Sequence, residues 1–144
     1  MQVKDIMATN IISVKSGSSA QAVADLIVQH QIHAIPIVNE LFELQGIVAE
    51  GDFFYQHQGT TSMAAYLINK LSKKKEISGS LDEILVNEIM ASPCVTVNPE
   101  MSVEEAGKIL VEKNFNTLPV VDANNTLMGI VTAHDVLKVL LNQS

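Results

Sequence analysis

The sequence predicts an α/β (α+β) protein made of two copies of one helix-and-strand unit, and three observations carry that prediction. The first is an internal repeat. Residues 3 to 53 and 86 to 136 are one segment written twice, in register and without a gap: Val3, Ile6, Met7, Ala8 and Val14 recur as Val86, Ile89, Met90, Ala91 and Val97. The same offset of 83 positions carries Pro36 to Pro119, Gly46 to Gly129 and Asp52 to Asp135. The second is that apolar residues at helical spacing alternate, within each copy, with short β-branched runs. The third is that those runs are almost continuously apolar, as in strands of a sheet covered on both faces. Each copy must bury its apolar face against the other, which implies a pseudo-two-fold axis and two related clefts. On this reading residues 1–58 hold the first repeat, 59–82 a linker with a helix, and 83–144 the second repeat.

Each copy reads as a short helix, a strand, a helix, two strands and a closing helix. In the first copy, Ser18-Ser19-Ala20-Gln21 caps a helix that turns Val23, Leu26 and Ile27 inward. Ile35-Pro36-Ile37-Val38 is a strand, Gln45-Gly46-Ile47-Val48 another, and Asp52 begins the closing helix. In the linker, Gly59-Thr60-Thr61-Ser62 opens an amphipathic helix that Ser78-Gly79-Ser80 breaks. In the second copy, Val95-Thr96-Val97 is a short strand ended by Pro99. Ser102-Val103-Glu104-Glu105 is a capping box, in which the hydroxyl accepts from a free backbone N–H and the glutamate reaches back. The helix behind it sets Ala106, Ile109 and Leu110 on one face. Thr117-Leu118-Pro119-Val120-Val121 is a β-branched run whose proline limits pairing. Asp122-Ala123-Asn124-Asn125 supplies a turn, Leu127 to Val131 the next strand, and Thr132-Ala133-His134-Asp135 opens the last helix.

Composition excludes several classes. The 144 residues carry a net charge of −7, from 9 basic and 16 acidic side chains. A nucleic-acid binder needs a basic footprint, and the one basic run, Lys73-Lys74-Lys75, suits a solvated helix C-terminus. Aromatics are 4% and Trp is absent, so stacking platforms for single strands are lacking as well. No apolar run reaches the ~18 residues of a membrane span. The N-terminus has no secretory pattern, and Cys94 is the sole cysteine, so a cytoplasmic location is expected. Apolar residues are 47% and mean hydropathy is +0.24, rich enough that a partner is expected to cover some outer helix faces. The closing helices carry apolar residues on more than one face (Phe53, Phe54 and Tyr55; Val136, Leu137, Val139, Leu140 and Leu141), which points to a homodimer. The four histidines, His30, His33, His57 and His134, have no metal-ligand spacing. Cys94 is the only nucleophile candidate, and no orienting acid or oxyanion site marks it, so it reads as an inert buried thiol and the chain as no enzyme.

One motif carries binding chemistry in its own right. In Gly129-Ile130-Val131-Thr132-Ala133-His134-Asp135 the glycine lets a ligand approach the backbone. A carboxylate in a helix's first turn accepts from two vicinal ribose hydroxyls at once. The Thr132 hydroxyl and the free N–H groups of the helix start suit a phosphate. The same Thr132-x-x-Asp135 spacing is also a capping box that the helix needs anyway. The two roles are compatible.

The doubled set of Val-x-(Asp/Glu)-Ile-Met, a Ser/Thr-Val strand, an apolar-Pro strand and Gly-Ile-Val-x-x-x-Asp resembles the tandem CBS-domain (Bateman) module, named after cystathionine β-synthase. The resemblance covers nearly the whole chain apart from the linker. It implies two βαββα units packed through their sheets into a pseudo-two-fold disc. It also implies a regulatory module whose clefts bind AMP, ADP, ATP, S-adenosylmethionine or, in some members, cyclic di-AMP. Carried over by position, the main nucleotide cleft comprises Gly129, Thr132, His134 and Asp135 with Asn10, Ile11, Ile32, His33 and Ala34. The isoleucines are expected to sandwich an adenine. His33 and His134 are expected either to meet phosphates or to be solvated surface side chains. The second cleft comprises Gly46 and Asp52 with Pro93, Cys94, Phe115, Asn116 and Thr117. It departs from the pattern, with Ala49 in place of the hydroxyl and Glu50 adding negative charge, so it is expected to be weak.

The resemblance therefore implies a sensor of an adenosine-containing ligand, most simply an adenine nucleotide, with no required cofactor and no metal. Its output is expected to pass in trans to an unknown effector protein. A constitutive homodimeric scaffold with empty clefts is the rival reading, and a nucleotide-induced rise in melting temperature separates the two.

Overall fold

The computed structural model of the chain describes residues 1–53 and 81–142. The helix expected in the linker with its lysine run, and the part of the expected first closing helix that holds Phe54 and Tyr55, lie outside the described residues. The chain divides into two compact units, Met1–Ile12 with Glu40–Leu44 and Val95–Ser144, and Ser13–Asn39 with Gln45–Cys94. In each unit the short segment ahead of one copy's first strand is packed with the helices and hairpin of the other copy.

The second of these units holds a three-stranded sheet in the order β1-β2-β3 (Val14–Lys15, Ala34–Val38, Leu44–Ala49). β1 runs parallel to β2, with Val14 opposite Ile37 and Lys15 opposite Val38. A parallel pair needs a crossover, and α1 (Ala20–His30) supplies it. The Ser19 hydroxyl accepts from the Ala22 N–H at 3.2 Å and starts α1, while Gln31, in the left-handed region at φ 53°, ends it. Val23 and Ile27 of α1 are buried, as are Ile35, Ile37, Val38 and Val48 of the strands. A short helix, α2 (Val86–Ile89), adds the buried Val86 and Ile89. It is tied in where Val86 N–H donates to the Ser18 carbonyl (2.8 Å) and Ala20 N–H to the Ile84 carbonyl (2.7 Å).

The first unit is built on the antiparallel hairpin β4-β5 (Thr117–Val121, Leu127–Thr132), flanked by α3 (Val103–Lys113) and α4 (Ala133–Asn142). Ser102 caps α3 by accepting from the Glu105 N–H at 3.1 Å. The hairpin turn is an Asx turn, since the Asp122 carboxylate accepts from the N–H groups of Asn124 (2.8 Å) and Thr126 (2.9 Å). The expected strand at Val95–Val97 shrinks to one parallel bridge, Val97 to Val120. The Asn98-Pro99 step behind Val97 leaves too little chain to extend it. The first copy's strand is likewise short, Val14–Lys15, and Asn10 and Ile11 lie ahead of it. Val3, Val97, Val103, Ala106, Leu110, Leu118, Val120, Val131, Val136 and Val139 form one buried cluster, with Ile6 and Met7 packed against it. At roughly 1.5–3 kcal/mol for each fully buried aliphatic side chain, the N-terminal segment is a working part of this core.

Two bare glycines admit the exchanged segments. Ala8 and Ile130 exchange backbone hydrogen bonds of 2.8 and 3.0 Å, and Ala91 and Ile47 do the same at 2.9 and 3.2 Å. A Cβ on Gly129 would lie 2.9 Å from the Ala8 carbonyl oxygen and 2.7 Å from Met7 Sδ. On Gly46 it would lie 2.7 Å from the Ala91 oxygen. The backbone oxygens cannot swing away, so a methyl group there forces the strands apart. No helix among the described residues is long and apolar enough to cross a membrane.

Gly129→Ala is therefore expected to cost about 1–3 kcal/mol of overpacking, lowering the melting temperature by roughly 2–12 °C at ~2–4 °C per kcal/mol. Gly51→Ala, where nothing lies within 4 Å of the new methyl, is the control. It should leave the melting point unchanged or raise it slightly through the unfolded chain's lost freedom. Scanning calorimetry that finds the two variants alike would refute the packing account of Gly129.

Candidate functional site

In the first unit β5 runs straight into α4 at Thr132-Ala133, so the motif lies at a helix N-terminus with no loop between. The Thr132 N–H donates to Asp135 Oδ2 at 3.0 Å, and the Asp135 N–H donates to Thr132 Oγ1 at 3.1 Å. The reciprocal box expected from the spacing is present. It engages one carboxylate oxygen of the half-buried Asp135. The Ala133 N–H donates to the Asn116 carbonyl at 2.9 Å, and Thr117 is paired across the hairpin with Thr132. Asn116 and Thr117, assigned by sequence to the second cleft, thus border the Thr132 motif of their own hairpin. Phe115, just ahead of them, is 41% exposed, a large ring with half a face to water.

Asn10 and Ile11 belong to this same unit, two and three residues beyond the Ala8–Ile130 bridge. Asn10 is exposed and Ile11 half-buried, so a polar and an apolar group follow directly on the clamp. His134 is exposed on the first turn of α4. Gly129 has a different role from the one expected. Its bare face is filled by Met7 and Ala8 rather than left open for a ligand, so its lack of a side chain answers the chain's own packing. The same holds for Gly46 against Met90 and Ala91.

The second unit carries the equivalent motif in altered form. β3 ends at Ala49 and a single 3₁₀ turn, Glu50–Phe53, follows. The Ala49 N–H donates to Asp52 Oδ2 at 2.7 Å. Half of the box is therefore kept, and the half that needs a hydroxyl is lost with Ala49. The Glu50 N–H donates to the His33 carbonyl at 2.9 Å, matching the Ala133–Asn116 bond in the other unit. Glu50 adds one contact that the sequence reading missed: its Oε1 lies 3.1 Å from His33 Nδ1, with the side chains 60% and 64% exposed. The sequence reading set His33 with the motif of the other copy, and no pattern in the residues marked its contact with Glu50. Such an exposed pair contributes ~0–1 kcal/mol. Ile32 and Ala34 flank His33 and are half-buried.

Cys94 is half-buried, and burial pushes its thiol above the ordinary range. At neutral pH it is a neutral thiol, without the thiolate that nucleophilic catalysis or metal binding requires. No group of three His, Cys, Asp or Glu side chains suited to a metal ion occurs among the described residues.

With this geometry established, comparison with known proteins gives a consistent result. The CBS domain family matches residues 3–56 and 86–142. An uncharacterized protein of Methanopyrus kandleri is 32% identical over 139 residues, 96% of this chain, and the chain spans 62% of that protein's length. The crystal structure of Arabidopsis thaliana CBSX2 in complex with AMP is similar at 26% identity and a TM-score of 0.77, covering 99% of this chain and 97% of that one. The CBS domain pair of MJ0100, in complex with 5′-methylthioadenosine and S-adenosyl-L-methionine, is similar at 25% identity and a TM-score of 0.73, covering 97% of this chain and 99% of that one.

Proposed function

The chain belongs to the CBS-domain family, and from that premise we propose that it is a non-catalytic regulatory module of the cytoplasm that binds an adenosine-containing ligand and signals its occupancy to an effector protein in trans. The observation that carries this reading is the Thr132–Asp135 box at the start of α4. It holds a carboxylate rigidly, with one oxygen engaged by the Thr132 N–H and the other left for a ribose. Charge-assisted bonds from two vicinal hydroxyls to that carboxylate are short and strong, and the N-terminus of α4 favours the attached phosphate. An adenine nucleotide such as AMP is the first candidate, since CBSX2 is a relative solved with AMP. S-adenosylmethionine and 5′-methylthioadenosine share the adenosine that the box reads, and both are bound by the MJ0100 pair. The Asp52 motif is the weaker site on this reading. It lacks the hydroxyl, and Glu50 presents a carboxylate beside it.

We also propose that the chain is a homodimer. Val136 and Val139 of α4 are buried, whereas Leu137, Leu140 and Leu141 are 53%, 51% and 68% exposed, so one helix has apolar residues facing both its own core and the outside. The same exposed leucines favour the rival scaffold reading, and ligand binding decides between them. Static light scattering should report twice the chain mass at micromolar concentration. A monomer would remove the dimer.

Asp135 tests the ligand reading. A hydrogen bond to a charged group contributes roughly 1.5–3 kcal/mol, so Asp135→Ala should weaken AMP binding by about 10- to 150-fold. With ligand at about 100 times its dissociation constant, the unmodified chain gains roughly 2.7 kcal/mol, or about 5–11 °C in melting temperature. The variant should show a smaller shift at the same concentration. If Asp135 is a cap alone, the variant melts earlier by itself yet keeps the full ligand-induced shift. Absence of a shift in the unmodified chain with AMP, ADP, ATP and S-adenosylmethionine alike would favour the scaffold.

A further inference from the structure

Each glycine strand is met by a thioether as well as by a carbonyl. Met7 and Met90 hold equivalent positions, one in each unit. Each ends a single turn by donating its N–H, Met7 to the Val3 carbonyl and Met90 to the Val86 carbonyl, both at 2.9 Å. Their sulfurs lie on the bare glycine faces. A Cβ on Gly129 would stand 2.7 Å from Met7 Sδ and 2.9 Å from the Ala8 oxygen. On Gly46 it would stand 2.8 Å from Met90 Sδ and 2.7 Å from the Ala91 oxygen. In both units a sulfur and a carbonyl oxygen therefore crowd one point. An unbranched, polarisable side chain suits such a shallow apolar face. Neither methionine is enclosed: both are half-buried, and the residues just beyond them, Ala8 to Asn10 and Ser92 to Pro93, are exposed.

We propose that Met7 and Met90 are a paired oxidation site, at which hydrogen peroxide converts the two thioethers to sulfoxides and loosens both clamps. In that step a sulfur lone pair attacks one peroxide oxygen, so that an S–O bond forms and the O–O bond breaks. Sulfur gives up two electrons, and the second oxygen leaves as water with the proton of the oxygen transferred. The product is a polar side chain where an apolar one was packed. Its effect follows from the supply of donors. The sulfoxide oxygen is an acceptor set beside another acceptor, the Ala8 or Ala91 carbonyl. The backbone donor of each clamp is already engaged: Ile130 N–H donates to the Ala8 carbonyl at 3.0 Å and Ile47 N–H to the Ala91 carbonyl at 3.2 Å. The new oxygen either stays unpaired or takes that N–H from the carbonyl, and both outcomes weaken the hold on the exchanged segment. Met1 and Met128 differ, being 65% and 39% exposed, so an oxygen added there meets water. The change is reversible. Methionine sulfoxide reductases remove the oxygen as water, with two electrons and two protons from a dithiol.

The test treats the full chain with hydrogen peroxide, follows each methionine by peptide mass spectrometry and reads the melting temperature by calorimetry. Each clamp sulfoxide should lower the melting temperature by roughly 2–12 °C. The loss should track sulfoxide at Met7 and Met90 rather than total oxidation, and the two reductases that act on the opposite sulfoxide epimers should together reverse it. The chain carrying Met7→Leu and Met90→Leu keeps side chains of similar volume, and should melt within about 6 °C of the unmodified chain before treatment. Peroxide should leave its melting temperature unchanged while Met1 and Met128 are converted. If it loses as much as the unmodified chain, the damage lies at another methionine such as Met101 and the proposal is overturned. The proposal fails equally if Met7 and Met90 remain thioethers once Met1 and Met128 are fully oxidised. That second readout needs only the unmodified chain, so it stands whether or not the double variant folds.

Discussion

Each unit depends on one contact, the clamp between a Met-Ala segment and the glycine strand of the other copy. Backbone N–H and carbonyl groups of Ala8 and Ile130, and of Ala91 and Ile47, satisfy one another across it. The approach is close enough that a methyl group in place of the glycine hydrogen would overlap a carbonyl oxygen. Much else follows from that closeness. Val3, Ile6 and Met7 are carried into the core beneath β4, β5 and α3, and Val86 and Ile89 are buried in the other unit. With the clamp opened, those side chains return to water at roughly 1.5–3 kcal/mol each for the fully buried ones. That is a large share of the 5–15 kcal/mol that holds a domain of this size together. The segments ahead of Val14 and Val97 are therefore structural members, although they contribute almost no regular secondary structure.

How much of this was legible depended on whether the controlling interaction is local. The caps of α1 and α3 were read correctly from Ser19 and Ser102, because a hydroxyl reaching an N–H three residues on is a local event. The turn at Asp122–Asn125 was legible for the same reason. The exchange of the Met-Ala segments was not legible in the residues alone and was implied only by the resemblance, which set Asn10 and Ile11 with the Thr132–Asp135 motif. Repeat register says which residues are equivalent, but nothing local says whether Ala8 pairs with Ile47 of its own copy or Ile130 of the other. Gly129 was read as an opening for a ligand for that reason, because the constraint the structure shows there is a carbonyl distant in sequence. The strand at Val95–Val97 was overextended because β-propensity says nothing of whether a partner strand lies alongside, and only Val97 finds one, at Val120. The Glu50–His33 pair spans a separation of 17 residues across a hairpin and left no pattern to find.

The candidate site illustrates how a structural role can prepare a binding role. The box that stops α4 from fraying also fixes the Asp135 carboxylate and the Thr132 hydroxyl relative to the helix axis. A ligand meeting them does not pay to order either side chain, which is the usual entropic cost of building a site on a mobile surface. In the other unit the same aspartate is held by the same N–H, at 2.7 Å, but Ala49 offers no oxygen and a 3₁₀ turn replaces the first turn of the helix. The second motif thus retains the anchored carboxylate and lacks the hydroxyl that would stand beside it.

Comparison of the two copies sharpens where functional weight lies. Positions identical in both, such as Val3 and Val86, Gly46 and Gly129, or Asp52 and Asp135, all have a role that the fold alone requires: core, clamp and cap. Their identity therefore says nothing in favour of a ligand. The informative positions are those where equivalent backbone carries different chemistry. Thr132 answers to Ala49, Ala133 to Glu50 and His134 to Gly51 at the motif, and Lys108 answers to Asp25 on the outer helix. The first three differences place a hydroxyl and an imidazole at the start of α4 and a carboxylate on the 3₁₀ turn of the other unit. The fourth places opposite charges on two faces that began as copies. Differences of this kind change the chemistry at equivalent positions of the two copies while the clamp, common to both, is kept.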